Sequence, residues 1–144
     1  MADIKTRKDY YKPTDFFVPS QPNPTERLGH GKKGDCVIRA YAHVFDVSWI
    51  EAFDILCERA RRTYDVPNDD LNLIGYCEEH GHERQTYKAI KGQKRMTAED
   101  FAKKHPEGKY LLRLANHMTA CVNGKIYDSW NCGNSAVYTS YKIQ

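Results

Sequence analysis

Three short stretches of this chain carry side chains that could do nucleophilic chemistry together. In Gly34-Asp35-Cys36-Val37-Ile38-Arg39-Ala40-Tyr41 a cysteine stands on the first turn of an expected helix, after an irregular lead-in. Asp35 sits where a side chain can cap the first free backbone N–H groups. The positive end of the helix dipole favours the thiolate, the nucleophilic form of the residue. Such a cysteine needs a base within hydrogen-bond reach and a third group that orients the base. Asn116-His117-Met118-Thr119-Ala120-Cys121-Val122 offers the imidazole, and Lys125-Ile126-Tyr127-Asp128-Ser129-Trp130 offers a carboxylate.

The elements that must position these groups follow from periodicity. Val37, Ala40, Tyr41 and Val44 recur at helical spacing and predict a short helix over 35–45. Ser48-Trp49-Ile50-Glu51 reads as a capping box opening a second helix, with Ile50, Phe53, Leu56, Cys57, Ala60 and Tyr64 as its apolar stripe. Asn68-Asp69-Asp70 starts a third, which runs to about His80 and ends at Gly81. A short strand is expected over 85–90, and a helix of one or two turns from Thr97, stopping before His105-Pro106. Beyond that the period is two. Residues 109–115, 117–122, 125–128 and 136–142 read as strands, and Asn123-Gly124 as a tight hairpin turn.

Alternation puts His117, Thr119 and Cys121 on one strand face and Met118, Ala120 and Val122 on the other. Pairing across the hairpin sets Val122 opposite Lys125, and Met118 or Thr119 near Tyr127 or Asp128, which brings Asp128 close to His117. Asn131 is the rival for the orienting role. Helices first and an antiparallel sheet second predict an α+β fold.

Composition bounds the rest. The chain has 144 residues, enough for one domain with a sizeable core. No apolar run approaches the length of a membrane span, and Met1-Ala2-Asp3-Ile4-Lys5 lacks the apolar core of a signal peptide. Five cysteines without a disulfide-like spacing fit reduced thiols, so a cytoplasmic protein without a membrane partner is expected. The net charge of +3 comes from residues 1–33, too mild for a nucleic-acid signature, and no nucleic-acid partner is expected. That segment holds four prolines beside Tyr10, Tyr11, Phe16, Phe17 and Val18, and reads as an extended arm packed on a single domain over 34–144. Cys77, His80 and His82 have donor chemistry for zinc, but no fourth ligand is evident, so a core cysteine and two surface histidines are read there, with no metal and no cofactor. Residues 84–95 hold Arg84, Lys88, Lys91, Lys94 and Arg95 with no acid, and read as a basic solvated loop.

The three reactive stretches resemble the papain-like cysteine peptidases. Gly34-Asp35-Cys36 stands where that family has Gly-Ser-Cys at the start of its central helix, and Asn116-His117 resembles its Asn-His-Ala-Val segment. Asp128-Ser129-Trp130 resembles its Asn-Ser-Trp. An Asp in that third place is similar to bacterial branches such as bacteriocin leader peptidases and effector proteases, and to small phage proteins with a Gly-Asp-Cys start. The resemblance covers roughly 30–45 and 108–131, and implies a papain-like fold. It makes Cys36 the nucleophile, His117 the general base and acid, Asp128 the orienting group and Trp130 the shield over their contact. In the family the oxyanion-hole side chain is usually a Gln six residues before the Cys. Here that place is His30, with Gln21 as the alternative donor and the Cys36 backbone N–H as the other arm. Val37 replaces the family's Trp after the cysteine.

The expected activity is that of a thiol hydrolase acting on a peptide, isopeptide or amide bond of a protein or peptide substrate. Deamidation and acyl transfer use the same triad. The alternative is a non-catalytic module on the same fold, binding protein or nucleic acid through 84–95 and the arm. Neither the substrate nor the oligomeric state is written in the sequence.

Overall fold

The computed structural model describes residues 10–28 and 33–144. In chain order the elements are β1 (Phe17–Pro19), α1 (Cys36–Phe45), α2 (Trp49–Thr63), α3 (Asp70–Glu79), β2 (Glu83–Thr86), α4 (Ala98–Lys104), β3 (Lys109–Leu114), β4 (His117–Val122), β5 (Lys125–Asp128) and β6 (Val137–Lys142). The fold is α+β, built on one six-stranded sheet of order β1-β5-β4-β3-β6-β2. The sheet is mixed rather than antiparallel, because β1 pairs in parallel with β5. A three-residue edge strand is too short to leave a period in the sequence, and Pro19 is tolerated at such an edge.

Strand alternation splits the core into two layers. Leu111, Met118, Ala120 and Tyr141 face α1, α2 and α3. Leu112, Leu114, Cys121, Ile126 and Val137 face the other way, against Phe101 of α4, Cys132 and Phe17. Met118 and Cys121 thus fall on opposite faces of β4. The hairpin between β4 and β5 pairs Val122 with Lys125 and Ala120 with Tyr127. Asn123 and Gly124 both take positive φ, 49° and 78°, as a tight hairpin turn of this length needs.

The starts of α2, α3 and α4 are set locally. Ser48 accepts from the Glu51 N–H at 3.1 Å, Asp69 caps α3 through the Leu71 N–H, and Thr97 with Asp100 forms a reciprocal box on α4. The buried stripe of α2 is Ala52, Leu56 and Ala60, and Ile50 and Tyr64 are exposed. Tyr64 is the C-cap, at φ 58°, so the helix has ended and its ring swings into solvent. The expected strand over 85–90 is shorter and starts earlier, at Glu83, because after Thr86 the chain leaves the sheet for a turn. Among the described residues no helix is long and apolar enough to cross a membrane.

Candidate active site

Cys36 is the first residue of α1, and α1 lies against β4 on the helical side of the sheet. The N-terminus of this helix is capped from a distance. Asn68, in the lead-in to α3, accepts from the Val37 and Ile38 N–H groups at 3.1 and 3.2 Å, and its amide donates to the Gly34 carbonyl. Asp35 makes no side-chain cap, contrary to expectation. It is buried, and its carboxylate accepts from Arg39, from the Trp49 indole N–H at 2.9 Å and from the Asn23 amide at 3.1 Å. The i,i+4 pairing with Arg39 answers the charge that would otherwise oppose a thiolate next door.

His117 opens β4, and Asp128 closes β5. By alternation both belong to the sheet face that carries Thr119 and Cys121, and their side chains meet: His117 Nε2 lies 2.6 Å from Asp128 Oδ2. With Nε2 committed to the carboxylate, Nδ1 is the remaining ring nitrogen. Two adjoining recesses of about 320 and 400 Å³ are lined by both Cys36 and His117, together with Gly34 and Asn116. Asn116 takes φ 52° in the two-residue turn between β3 and β4, which starts β4 at His117.

Electrostatics couple the groups. Burial alone would raise the Cys36 thiol, but the hydrogen bond and charge of His117, the Met118 N–H and the Arg39 guanidinium bring it below its usual value. Burial likewise would lower His117, and the hydrogen bond to Asp128, contacts with Cys132 and Cys36 and the Asp128 charge raise it strongly instead. Asp128 is desolvated, which works upward, yet His117 and Arg39 hold it below the ordinary carboxylate range. The other thiols go the opposite way: burial pushes Cys77 and Cys121 up to about 12, and raises Cys57 and Cys132. All five cysteines are free.

Trp130 packs on the imidazole, ring centroids 4.9 Å apart, and Tyr10 packs on Trp130 in turn at 6.1 Å. Asn131 is not in the orienting position: its side chain accepts from the Gly133 N–H at 2.8 Å. Of the expected oxyanion donors, His30 lies outside the described residues. Gln21 donates to the Arg27 carbonyl at 3.2 Å and accepts from the Asn23 N–H, so its amide serves a local turn. Since Asn68 takes the next two N–H groups, the Cys36 N–H is the helix-terminal donor beside the thiol.

Three residues at the site were not singled out from the sequence. Arg39, 5% exposed, bridges Asp35 and Asp128, reaching Asp128 Oδ1 at 3.5 Å. An arginine inside the otherwise apolar Val37–Ala42 run, four residues after an aspartate, was the available signal. Cys132 lies behind the carboxylate, its thiol 3.5 Å from Asp128 Oδ2. It sits in an aperiodic loop that gives no such signal, and neither does Asn68.

Among the described residues, the donors that approach closely enough to hold a shared ion are His117, Asp128 and Cys132. At 2.6 Å the first two are a hydrogen-bonded pair, closer than two ligands at ~2.0–2.2 Å around a tetrahedral metal would stand. Cys77, His80 and His82 are not gathered: Cys77 is buried in α3, His80 bonds the Tyr76 carbonyl, and His82 accepts from the Gln144 N–H. Comparison with protein-family models, curated proteins and solved structures finds no match to this chain.

Proposed function

We propose that this protein is a papain-like thiol hydrolase that cleaves a peptide, isopeptide or amide bond through Cys36, His117 and Asp128. One observation carries the reading: a single imidazole, bonded to a buried carboxylate at 2.6 Å, lines the same recesses as a helix-terminal thiol, whose value it lowers while its own is raised. Both shifts run in the direction that a thiolate–imidazolium nucleophile requires.

The Cys36 thiolate attacks the substrate carbonyl, and the Cys36 N–H stabilises the oxyanion. Collapse breaks the C–N bond as the His117 imidazolium gives its proton to the leaving amine, and a thioester remains on Cys36. His117, now neutral, takes a proton from water, the hydroxide attacks the thioester, and the carboxylic acid leaves as the thiolate re-forms. Ammonia in place of the amine makes the reaction a deamidation, and an amine in place of water makes it a transfer.

The test is labelling of the full chain with iodoacetamide near neutral pH, mapped by mass spectrometry, alongside a panel of peptide and glutamine-amide substrates. Cys36 is expected to label far faster than Cys57, Cys77, Cys121 and Cys132, and Cys36→Ala to abolish turnover. Faster labelling of any other cysteine, or turnover surviving in Cys36→Ala, overturns the reading.

A further inference from the structure

A further recess lies away from Cys36. It is a groove of about 720 Å³ between the chain after β2 and the end of α4. Its charged lining is Lys88, Lys94, Arg95 and Lys104, with no carboxylate among the lining residues. The carboxylate on which Lys94 acts, Asp100, is spent on the box that caps α4. Unanswered cations gathered around a concavity attract an anionic partner.

Two further observations say which kind. First, β2 is the last strand of the sheet, and all four of its residues are exposed. The Tyr87 N–H donates to the Tyr138 carbonyl at 2.9 Å, so Gln85 and Glu83 turn their backbone groups toward β6, whereas Arg84 and Thr86 turn theirs outward. That outward row is a template for an added strand, and it runs into the groove. Second, the two tyrosine rings at and beside the groove are already engaged in contacts within the protein, not set out as a row of stacking faces. Tyr87 is tied to Ser140 at 3.0 Å and packs edge-on against Phe101, and the Tyr138 ring is covered by Arg95 at 4.6 Å. Single-stranded nucleic acid depends on such faces.

We propose that this groove binds an acidic peptide segment in extended form, laid along the outer edge of β2. Glu83, at the far end of β2, repels acids there, so the peptide's charges sit over Lys88, Lys94 and Arg95. Val137 lines the groove and, like His117, is paired with Leu114. Val137 therefore stands in the same row of the sheet as His117, two strand spacings or roughly 10 Å away, and a segment added outside β2 lies four spacings, roughly 19 Å, from the strand of His117. The binding does not depend on any chemistry at Cys36.

Fluorescence anisotropy with the full chain tests this. The probe is a labelled peptide with Glu alternating with Thr and Val. It is compared with its Gln-for-Glu counterpart, a version N-methylated at alternate backbone amides, and an oligothymidylate of similar length. The acidic peptide is expected to bind, to weaken as salt is raised, and to lose on the order of tenfold or more in affinity in the Gln and N-methylated forms. Lys88→Glu with Lys94→Glu, both exposed and so neutral for folding by circular dichroism, should lose binding similarly. Cys36→Ala should bind as the native chain does. Failure of the acidic peptide to bind, equal binding of the Gln form or unchanged affinity of the charge-reversed chain overturns the proposal. Tighter binding of the oligothymidylate reassigns the groove to nucleic acid, and full affinity of the N-methylated peptide removes it from the β2 edge.

Discussion

At the scale of residues, the proposed chemistry depends on how Asp128 divides its charge. Oδ2 holds His117 and Oδ1 faces Arg39, in a pocket where the carboxylate is only 3% exposed. The pH dependence follows with a definite sign. Thiolate forms as pH rises through the lowered Cys36 value, and imidazolium is lost as pH rises through the raised His117 value. Activity, measured as kcat/KM, should therefore be a bell. Its acid limb should lie below the ordinary thiol range and its alkaline limb above the ordinary imidazole range. Asp128→Asn keeps an acceptor for His117 but removes the charge, so it should lower activity modestly and shift the alkaline limb to lower pH. Asp128→Ala removes both and should cost about 100-fold or more, as losses in related triads do. An alkaline limb that does not move in either variant would separate Asp128 from the titration of His117. Asn131→Ala should leave the profile in place, since Asn131 bonds Gly133 instead.

At the scale of elements, the N-terminus of α1 does two jobs: it positions Cys36 and supplies a dipole. Neither is secured by α1's own cap. Asn68 reaches across from the start of α3, so the connection between α2 and α3 holds the helix that carries Cys36 in register. Asn68→Ala removes that cap and should lower stability by about 0.5–2 kcal/mol, in line with lost N-caps elsewhere. It should also slow iodoacetamide labelling of Cys36, because the frayed turn loses part of its dipole. Denaturant unfolding and labelling rate, read on the same variant, check both. A variant that loses stability while Cys36 reacts at the native rate would show that Asn68 serves the fold alone. Ser48→Ala, which uncaps α2 at a remote end, supplies the control.

At the scale of the whole molecule, residues 17–19, ahead of the helices, belong to the sheet. Phe17, 2% exposed, joins the core beneath α4, and Pro19 pairs with Asp128 across the parallel β1–β5 ladder. The Ser20 N–H donates to the Asp128 carbonyl at 2.8 Å, and the Asn131 N–H to Tyr10 O at 2.6 Å. The strand end that carries the proposed orienting acid is thus held on its outer side by residues 10–20. Phe17→Ala should cost about 3–5 kcal/mol, typical of a buried aromatic truncated in a core. Ile50→Ala, at an exposed position of α2, should stay within about 0.5 kcal/mol. Thermal unfolding of the two variants makes the comparison. Near-equal losses would mean that the described arm does not pack as it does here.

Local physics, legible in the residues alone, placed the starts of α1 to α4, the Asn123-Gly124 turn, the two faces of β4 and the α+β order. It also brought His117 and Asp128 together, because a two-residue hairpin sets the register for both strands and leaves few places for an acid 11 residues on. What lay beyond it were contacts between segments that share no period. The parallel pairing of β1, the Asn68 cap, the Arg39 bridge and the Cys132 thiol behind Asp128 join residues up to 109 positions apart along the chain. Asp35 shows the difference most clearly. Its place before the helix gave it a cap's address, but burial beside Arg39 and Trp49 gave its carboxylate stronger partners than a backbone N–H. In a low-dielectric interior a charge is held by the countercharge that tertiary packing brings to it, and no local pattern specifies which one that is.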